Sequence, residues 1–548
     1  MKTILSLLAC TALGLITTTS LRAEAPVKPE SIREVLEGAT KYAVRFIHAP
    51  AFTFAKIPGA ATLAATFTDS QKQAIPLAGN GHTLDLAPIW ERMAAGEFTG
   101  RVELRDAAGK VLHVFSGNWH KARPFDSALK QPEPPRPPDE VAKKTTEFLL
   151  GYRHPKAHAP DQSAMLWHAA CNIKGGLHPY VYPAWGHAIL IHFLLDYAEW
   201  PQADAKLSAA GLALIPELIQ VIQAHKTPSD WLYGDLYYST GSRGEMGGHA
   251  DADGIMPTMS GHTGLALLRV AEKDGNPDLR RAAWATGLSL VKVQLPEGNF
   301  IFRVQPKTGE VASPYTSNVM PVVLLWDALL ASPADTKNPL DTEESRQRIR
   351  DARAKALAWM LAGPWKNMRW EGLYEDMANL KPYENMQWWD ASLAVEYVLA
   401  RPDEFPGQKD QALAVARWIE DQFVCWHEED VPNRGKRVPL VPCALEQYRC
   451  YQPIDAHAAR AAGLFLTVWR ATGDESYRAR ARAMATSLAR AQRESGAIAT
   501  WWWMGANDGA GETRMEFDPL NDWFRCMAYD ASLLIKHGGE LQAAPPEP

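Results

Sequence analysis

The chain has 548 residues, 46% of them apolar and 22% charged, a balance that excludes a disordered polypeptide and leaves room for more than one folded unit. Its formal charge of −6, with no long basic run, excludes the electrostatic signature of a nucleic-acid binder. Lys2, the apolar run from Ile4 to Ile16 and the sequence Leu21-Arg22-Ala23 predict a secretory signal over residues 1–23, and with it a secreted or periplasmic protein. No later stretch reads as a membrane span. Cleavage removes Cys10 and leaves Cys171, Cys425, Cys443, Cys450 and Cys526. Three of these fall between 425 and 450, so either one bridge forms there in an oxidising compartment or all are buried free thiols.

Residues 40–117 have strand character, within a domain expected over 24–125: Tyr42, Val44 and Phe46 alternate, and Val102 and Leu104 sit between Arg101, Glu103 and Arg105. A small N-terminal β-sandwich is expected. The segment 126–138 contains "QPEPPRPP"; five prolines between Pro132 and Pro138 remove backbone donors and fix φ, which makes it a linker. From Asp139 the period becomes helical, and apolar segments come in pairs over 184–226, 260–295, 317–362, 390–424 and 455–493. A last helix from 522 can pair with 139–152. Between hairpins the connections are long: 227–259, 296–316, 363–389, 425–454 and 494–521. They are too rich in Trp, Tyr and Gly to be disordered. Pairs of this kind arranged in a circle make a mainly α, (α/α)6 toroid over 139–541, with all long loops at one mouth and a disordered tail over 542–548.

Two second helices close on the same spacing, "QLPEG" at Gln294 to Gly298 and "QRESG" at Gln492 to Gly496, where Gly suits a left-handed stop. In this organisation the chain resembles the six-hairpin glycosidase superfamily, together with the α/α-toroid polysaccharide lyases and the helical domain of glucuronyl C5-epimerases. The resemblance covers residues 139–540. It is architectural, and no catalytic assignment is carried over from it.

Three inner helices start on aspartate: Asp390, Asp455 and Asp522. Asp is a preferred N-cap, and at a mouth where helix N-termini converge such a cap can also hold substrate hydroxyls. The richest loop, residues 231–264, gathers Asp235, Arg243, Glu245, His249, Asp251, Asp253 and His262. A second group combines Glu371, Glu375, Asp376 and Glu384 with Arg369, Trp370, Tyr374, Tyr383, Trp388 and Trp389. Glycoside hydrolysis needs one carboxylic acid as proton donor and another as base or nucleophile. Glu245 or Asp253 on one wall and Glu375 or Asp376 on the other are the candidates.

Sugar sites need flat aromatic platforms beside hydrogen-bonding groups. Trp185, Arg243, Arg303, Trp370, Trp388, Asp390, Trp501 and Asp522 are the candidate binding residues. Of the run Trp501 to Trp503, alternate members must face opposite ways on a strand, so one or two pack and one is offered to the mouth. A lyase or uronyl C5-epimerase would instead use His249, Tyr315, Asn172, Arg243 and Arg303 as base and carboxylate-neutralising groups. No catalytic metal or cofactor is expected; His249, Asp251, Asp253 and Gly254 offer only a fragment of a calcium loop. The sequence is thus read as a secreted glycoside hydrolase acting on an oligo- or polysaccharide. A lyase or epimerase and a non-catalytic glycan-binding protein are the alternatives.

Overall fold

A computed structural model describes residues 29–127, 133–151, 183–239, 254–372, 386–432, 434–435, 437–448, 452–504 and 524–542. The strands β1 (Glu30–Ser31), β2 (Leu36–Glu37), β3 (Arg45–Phe46), β4 (Ala51–Phe54), β5 (Thr62–Thr68), β6 (Ala74–Asn80), β7 (Thr83–Asp85), β8 (Gly96–Arg105) and β9 (Val111–Lys121) come first. They run in the order β1-β9-β8-β5-β6-β7-β4-β2, with β3 also on β9. In β8, Phe98, Val102 and Leu104 are buried while Glu97, Thr99 and Arg101 are exposed, so the period of two selects a core face. Where two packed sheets were expected, one ladder carries all nine strands and folds back on itself. Phe52 of β4 thereby stacks on Trp119 of β9 with ring centres 4.7 Å apart.

Twelve longer helices follow among the described residues: α1 (Pro138–Gly151), α2 (Pro183–Glu199), α3 (Ala205–Ala224), α4 (Ser260–Asp274), α5 (Pro277–Val293), α6 (Met320–Ala331), α7 (Glu343–Ala362), α8 (Trp389–Leu399), α9 (Lys409–Phe423), α10 (Asp455–Thr472), α11 (Glu475–Ala491) and α12 (Phe524–Gln542). The helices α2, α4, α6, α8, α10 and α12 each pack on the next, and α12 closes on α2. Their partners α3, α5, α7, α9, α11 and α1 lie outside them. This closed double ring is the expected toroid, and its inner helices begin within three residues of the positions read from the sequence.

The packing explains the pattern. An inner helix touches neighbours on every side, and α6, "MPVVLLWDALLA", is correspondingly apolar nearly all round, whereas the outer α7 carries the charged run "EESRQRIRDARAK". Tight hairpin turns are set by Gly275-Asn276 and Gly473-Asp474. In each, a left-handed glycine ends one helix and the next residue's side chain caps the amides of the following one.

The Gln-x-x-x-Gly repeat does more than stop a helix. Gln294 donates to the carbonyls of Gly298 and, on α7, Ala352, both at 2.9 Å; Gln492 donates to Gly496 and, on α1, Val141. A Cβ on Gly298 would lie 2.4 Å from the Lys355 carbonyl oxygen, and one on Gly496 would lie 2.2 Å from that of Lys144. Both glycines also have positive φ. The motif therefore lets one hairpin press its backbone onto the next outer helix.

Contrary to the expectation that no span follows residue 23, α3 is long and apolar enough to cross a membrane by length and composition alone. In the fold it is the outer partner of α2, capped by Asp204. The β unit is held against the ring by Gln422, whose Oε1 accepts from Val44 N and Arg45 N, and by Asp421, which accepts from Ile47 N. Asp430 adds His120 and the Arg123 amide.

Candidate functional site

The described stretches of the long connections form a girdle at one end of the ring. Ile255 bridges Val304, Ser317 N donates to Glu371 O, Gln387 bridges Gln447, and Ile454 bridges Trp501. Each contact joins one inter-hairpin loop to the next, so the loops gather on the side where the inner helices begin. Inside this girdle lies a chamber lined by Trp185 and Ile189 of α2, Met259 and His262 at the start of α4, Trp389 of α8, Ile454, Ala456 and His457 at the start of α10, and Arg525, Cys526 and Tyr529 of α12. Its enclosed free volume is only about 40 Å³, room for a few water molecules, and the space reaches about 520 Å³ when the open approach to it is counted.

Aromatic contacts fix its walls. Trp389 lies 4.8 Å from Tyr529 and 5.3 Å from His457 between ring centres, and the Arg525 guanidinium lies 5.6 Å from the Trp185 ring. The Tyr529 hydroxyl accepts from Arg460, which also donates to Ser392 and pairs with Glu396 at 2.8 Å. Burial, reinforced by the nearby Arg460, lowers His262 to about 4 and His457 to about 3. Both imidazoles are therefore neutral throughout the physiological range and hold a proton only weakly.

Two acids stand behind the wall. Asp390 is fully buried and accepts from Val319 N and Met320 N, both at 3.3 Å. It caps the neighbouring helix α6 rather than its own, in which it is the second residue. Burial raises its carboxyl well above the usual range despite those bonds. Asp530 of α12, also fully buried, is raised by burial too.

Of the six catalytic candidates, Tyr315 is described; Glu245, His249, Asp253, Glu375 and Asp376 lie outside the described residues, as do Arg243, Asp522, Asn172 and the calcium candidates Asp251 and Asp253. Tyr315 is outside the chamber lining. Its hydroxyl donates to the Arg369 carbonyl at 3.1 Å, the Arg369 guanidinium stacks 3.9 Å from its ring, and burial raises its pKa, so it is a structural phenol and not a poised base. Arg369 also pairs with Glu371 at 2.5 Å, and burial pushes Glu371 up to about 7 against that pull.

Among the binding candidates, Trp185 lines the chamber. Trp370 and Trp388 do not: both are fully buried, Trp388 donating its indole N–H to the Leu445 carbonyl, so these two platforms are core. Arg303 is buried beside Phe302 and lies outside the lining. The tryptophan run divides as alternation requires, Trp502 fully buried and Trp501 41% exposed. Sequence reasoning missed His457, Arg525 and Tyr529. The available signal was a polar or basic side chain within the first two turns of an inner helix. Cys425, Cys443 and Cys526 are buried free thiols. Among the described residues no cluster of three or more ligating side chains forms a metal site.

No protein-family model matches the chain, and no curated protein matches it. Solved structures similar to it include a family 76 glycoside hydrolase from a bovine Bacteroides thetaiotaomicron strain, 11% identical, with a TM-score of 0.47 over 91% of this chain and 97% of that one. Another is the cellobiose 2-epimerase of Spirochaeta thermophila, 12% identical, with a TM-score of 0.47 over 73% of this chain and 96% of that one. A third is an unsaturated glucuronyl hydrolase specific for heparin, 12% identical, with a TM-score of 0.42 over 73% and 97% respectively.

Proposed function

We propose that the protein is an exported carbohydrate-active enzyme that seats a sugar ring of an oligo- or polysaccharide at the opening of the mouth chamber. The chamber lining carries this reading: Trp185, Trp389 and Tyr529 supply flat apolar faces, while His262, His457 and Arg525 supply polar groups from three different helices. That combination matches the apolar C–H faces and polar edges of a pyranose.

Glycoside hydrolysis is the leading chemistry, with Glu245 or Asp253 and Glu375 or Asp376 as the acid and its partner. Its support is that both loops are anchored in the girdle, the first at Ile255 and the second at Glu371 and Met386. Incubation with a panel of glycans should release new reducing ends, and Glu375→Gln or Asp376→Asn should abolish the release. Absence of reducing ends across the panel, with an intact fold, would sink hydrolysis.

The placement of two imidazoles, His262 and His457, in the chamber lining supports a second reading, removal of a carbon-bound proton by an epimerase or lyase. Deuterium uptake into recovered sugar from D2O, or the ultraviolet absorbance of an unsaturated uronate, would select it. Saturable glycan binding without any product would leave a binding protein.

A further inference from the structure

The sulfurs of Cys425 and Cys443 take no part in the chamber. Residues Val424–Cys425 follow directly on α9 and pair antiparallel with Cys443–Ala444, in a register that sets Cys425 opposite Cys443. Directly opposed residues of an antiparallel pair share one face and have Cα atoms roughly 4.5 to 5.5 Å apart, which falls inside the window of about 4.4 to 6.8 Å that a disulfide spans. Both side chains are fully buried. Cys526, by contrast, lies apart in the chamber wall.

We propose that Cys425 and Cys443 form a disulfide when the chain folds under oxidising conditions, the present structure being the dithiol form. Two S–H bonds are lost and one S–S bond is made. The two protons and two electrons pass to a small-molecule disulfide or a disulfide-exchange protein, which leaves as two thiols. Because the pair is buried, exchange takes place during folding, before α9 and the mouth loop close over it.

The bond would have a location that matters. It would close the segment 425–443, in which the Cys425 thiol donates to the Asp430 carbonyl at 3.5 Å while the Asp430 carboxylate holds His120 and Arg123 of the β-unit side. Directly beyond Cys443 the chain supplies the Leu445 carbonyl to Trp388 and the Tyr448 hydroxyl to Gln422. One bond would thus staple the mouth loop, an outer helix and the β-unit contact together.

The test uses the full chain refolded with oxidised and reduced glutathione, then denatured, alkylated, digested and examined by mass spectrometry. The expected result is a peptide joining Cys425 to Cys443, lost in Cys443→Ala and retained in Cys450→Ala. Full alkylation of both cysteines after oxidative folding would overturn the proposal. So would a bond from either one to Cys171 or Cys450.

Discussion

The two ends of the ring solve the same problem of burying polar side chains in different ways. At the rear, a hollow of about 1120 Å³, counted to its opening, lies between the C-terminal halves of α8, α10 and α12. Its cations are each matched: Arg460 with Glu396, Arg470 with Glu540, and Lys536 with Asp196, which also takes Arg269. At the mouth the polar groups are two neutral imidazoles and Arg525 among aromatic faces, and the buried Asp390 behind them caps a neighbouring helix. Tyr529 lines both spaces, and with Arg460 it forms the partition between them. The larger cavity is therefore not the better candidate site. Groups that already satisfy one another have little to offer a ligand, and the rear reads as a seal that holds three helices in place.

Several experiments would break or sharpen that contrast, beginning with the largest effect. If chemistry resides at the mouth, His457→Asn should reduce turnover by about 10²- to 10⁴-fold under the proton-transfer reading while leaving the melting temperature close to wild type. Steady-state kinetics beside thermal unfolding measures this, and an equal loss from Lys536→Met would erase the distinction between the ends. At the rear the cost should fall on stability instead. Arg460→Met strands the Glu396 carboxylate and the Tyr529 hydroxyl, and urea unfolding should show a loss of about 3–5 kcal/mol.

The girdle can be tested through its tryptophans. Trp388→Ala should cost about 3–5 kcal/mol, whereas Trp501→Ala should stay within about 0.5 kcal/mol and weaken glycan binding, as read by denaturation and titration calorimetry.

The smallest effects are in pH dependence, and they have opposite signs. Glu371 holds its proton in the folded chain up to about 7, against 4.5 for the ordinary group, so the folded state binds more protons in that window and stability falls as pH rises through it. Glu371→Gln should flatten that fall. His262 and His457 stay neutral in the folded chain down to about 4 and about 3, against 6.5 ordinarily, so their contribution is lost as pH falls below 6.5. Replacing either with Gln should reduce the acid loss of urea-midpoint stability.

Helix pairing was legible because it rests on local chemistry, a 3.6-residue period that switches on and off along the chain. The site was legible only in part. Trp185 and the division between Trp501 and Trp502 were within reach, yet Trp370 and Trp388 looked the same in sequence and are core. Asp390 looked like a cap for its own helix and serves α6. Such outcomes depend on which neighbour a side chain meets across the ring.

The amino-acid order by itself determined that helices form in pairs and where each pair begins and ends, since periodicity and capping act within a few residues. The tertiary structure alone decided which side chains face the lumen. An inner helix that is apolar nearly all round has no face readable from its sequence, and the rotation that brings His457 and Tyr529 to the chamber is set by packing against neighbours far away along the chain.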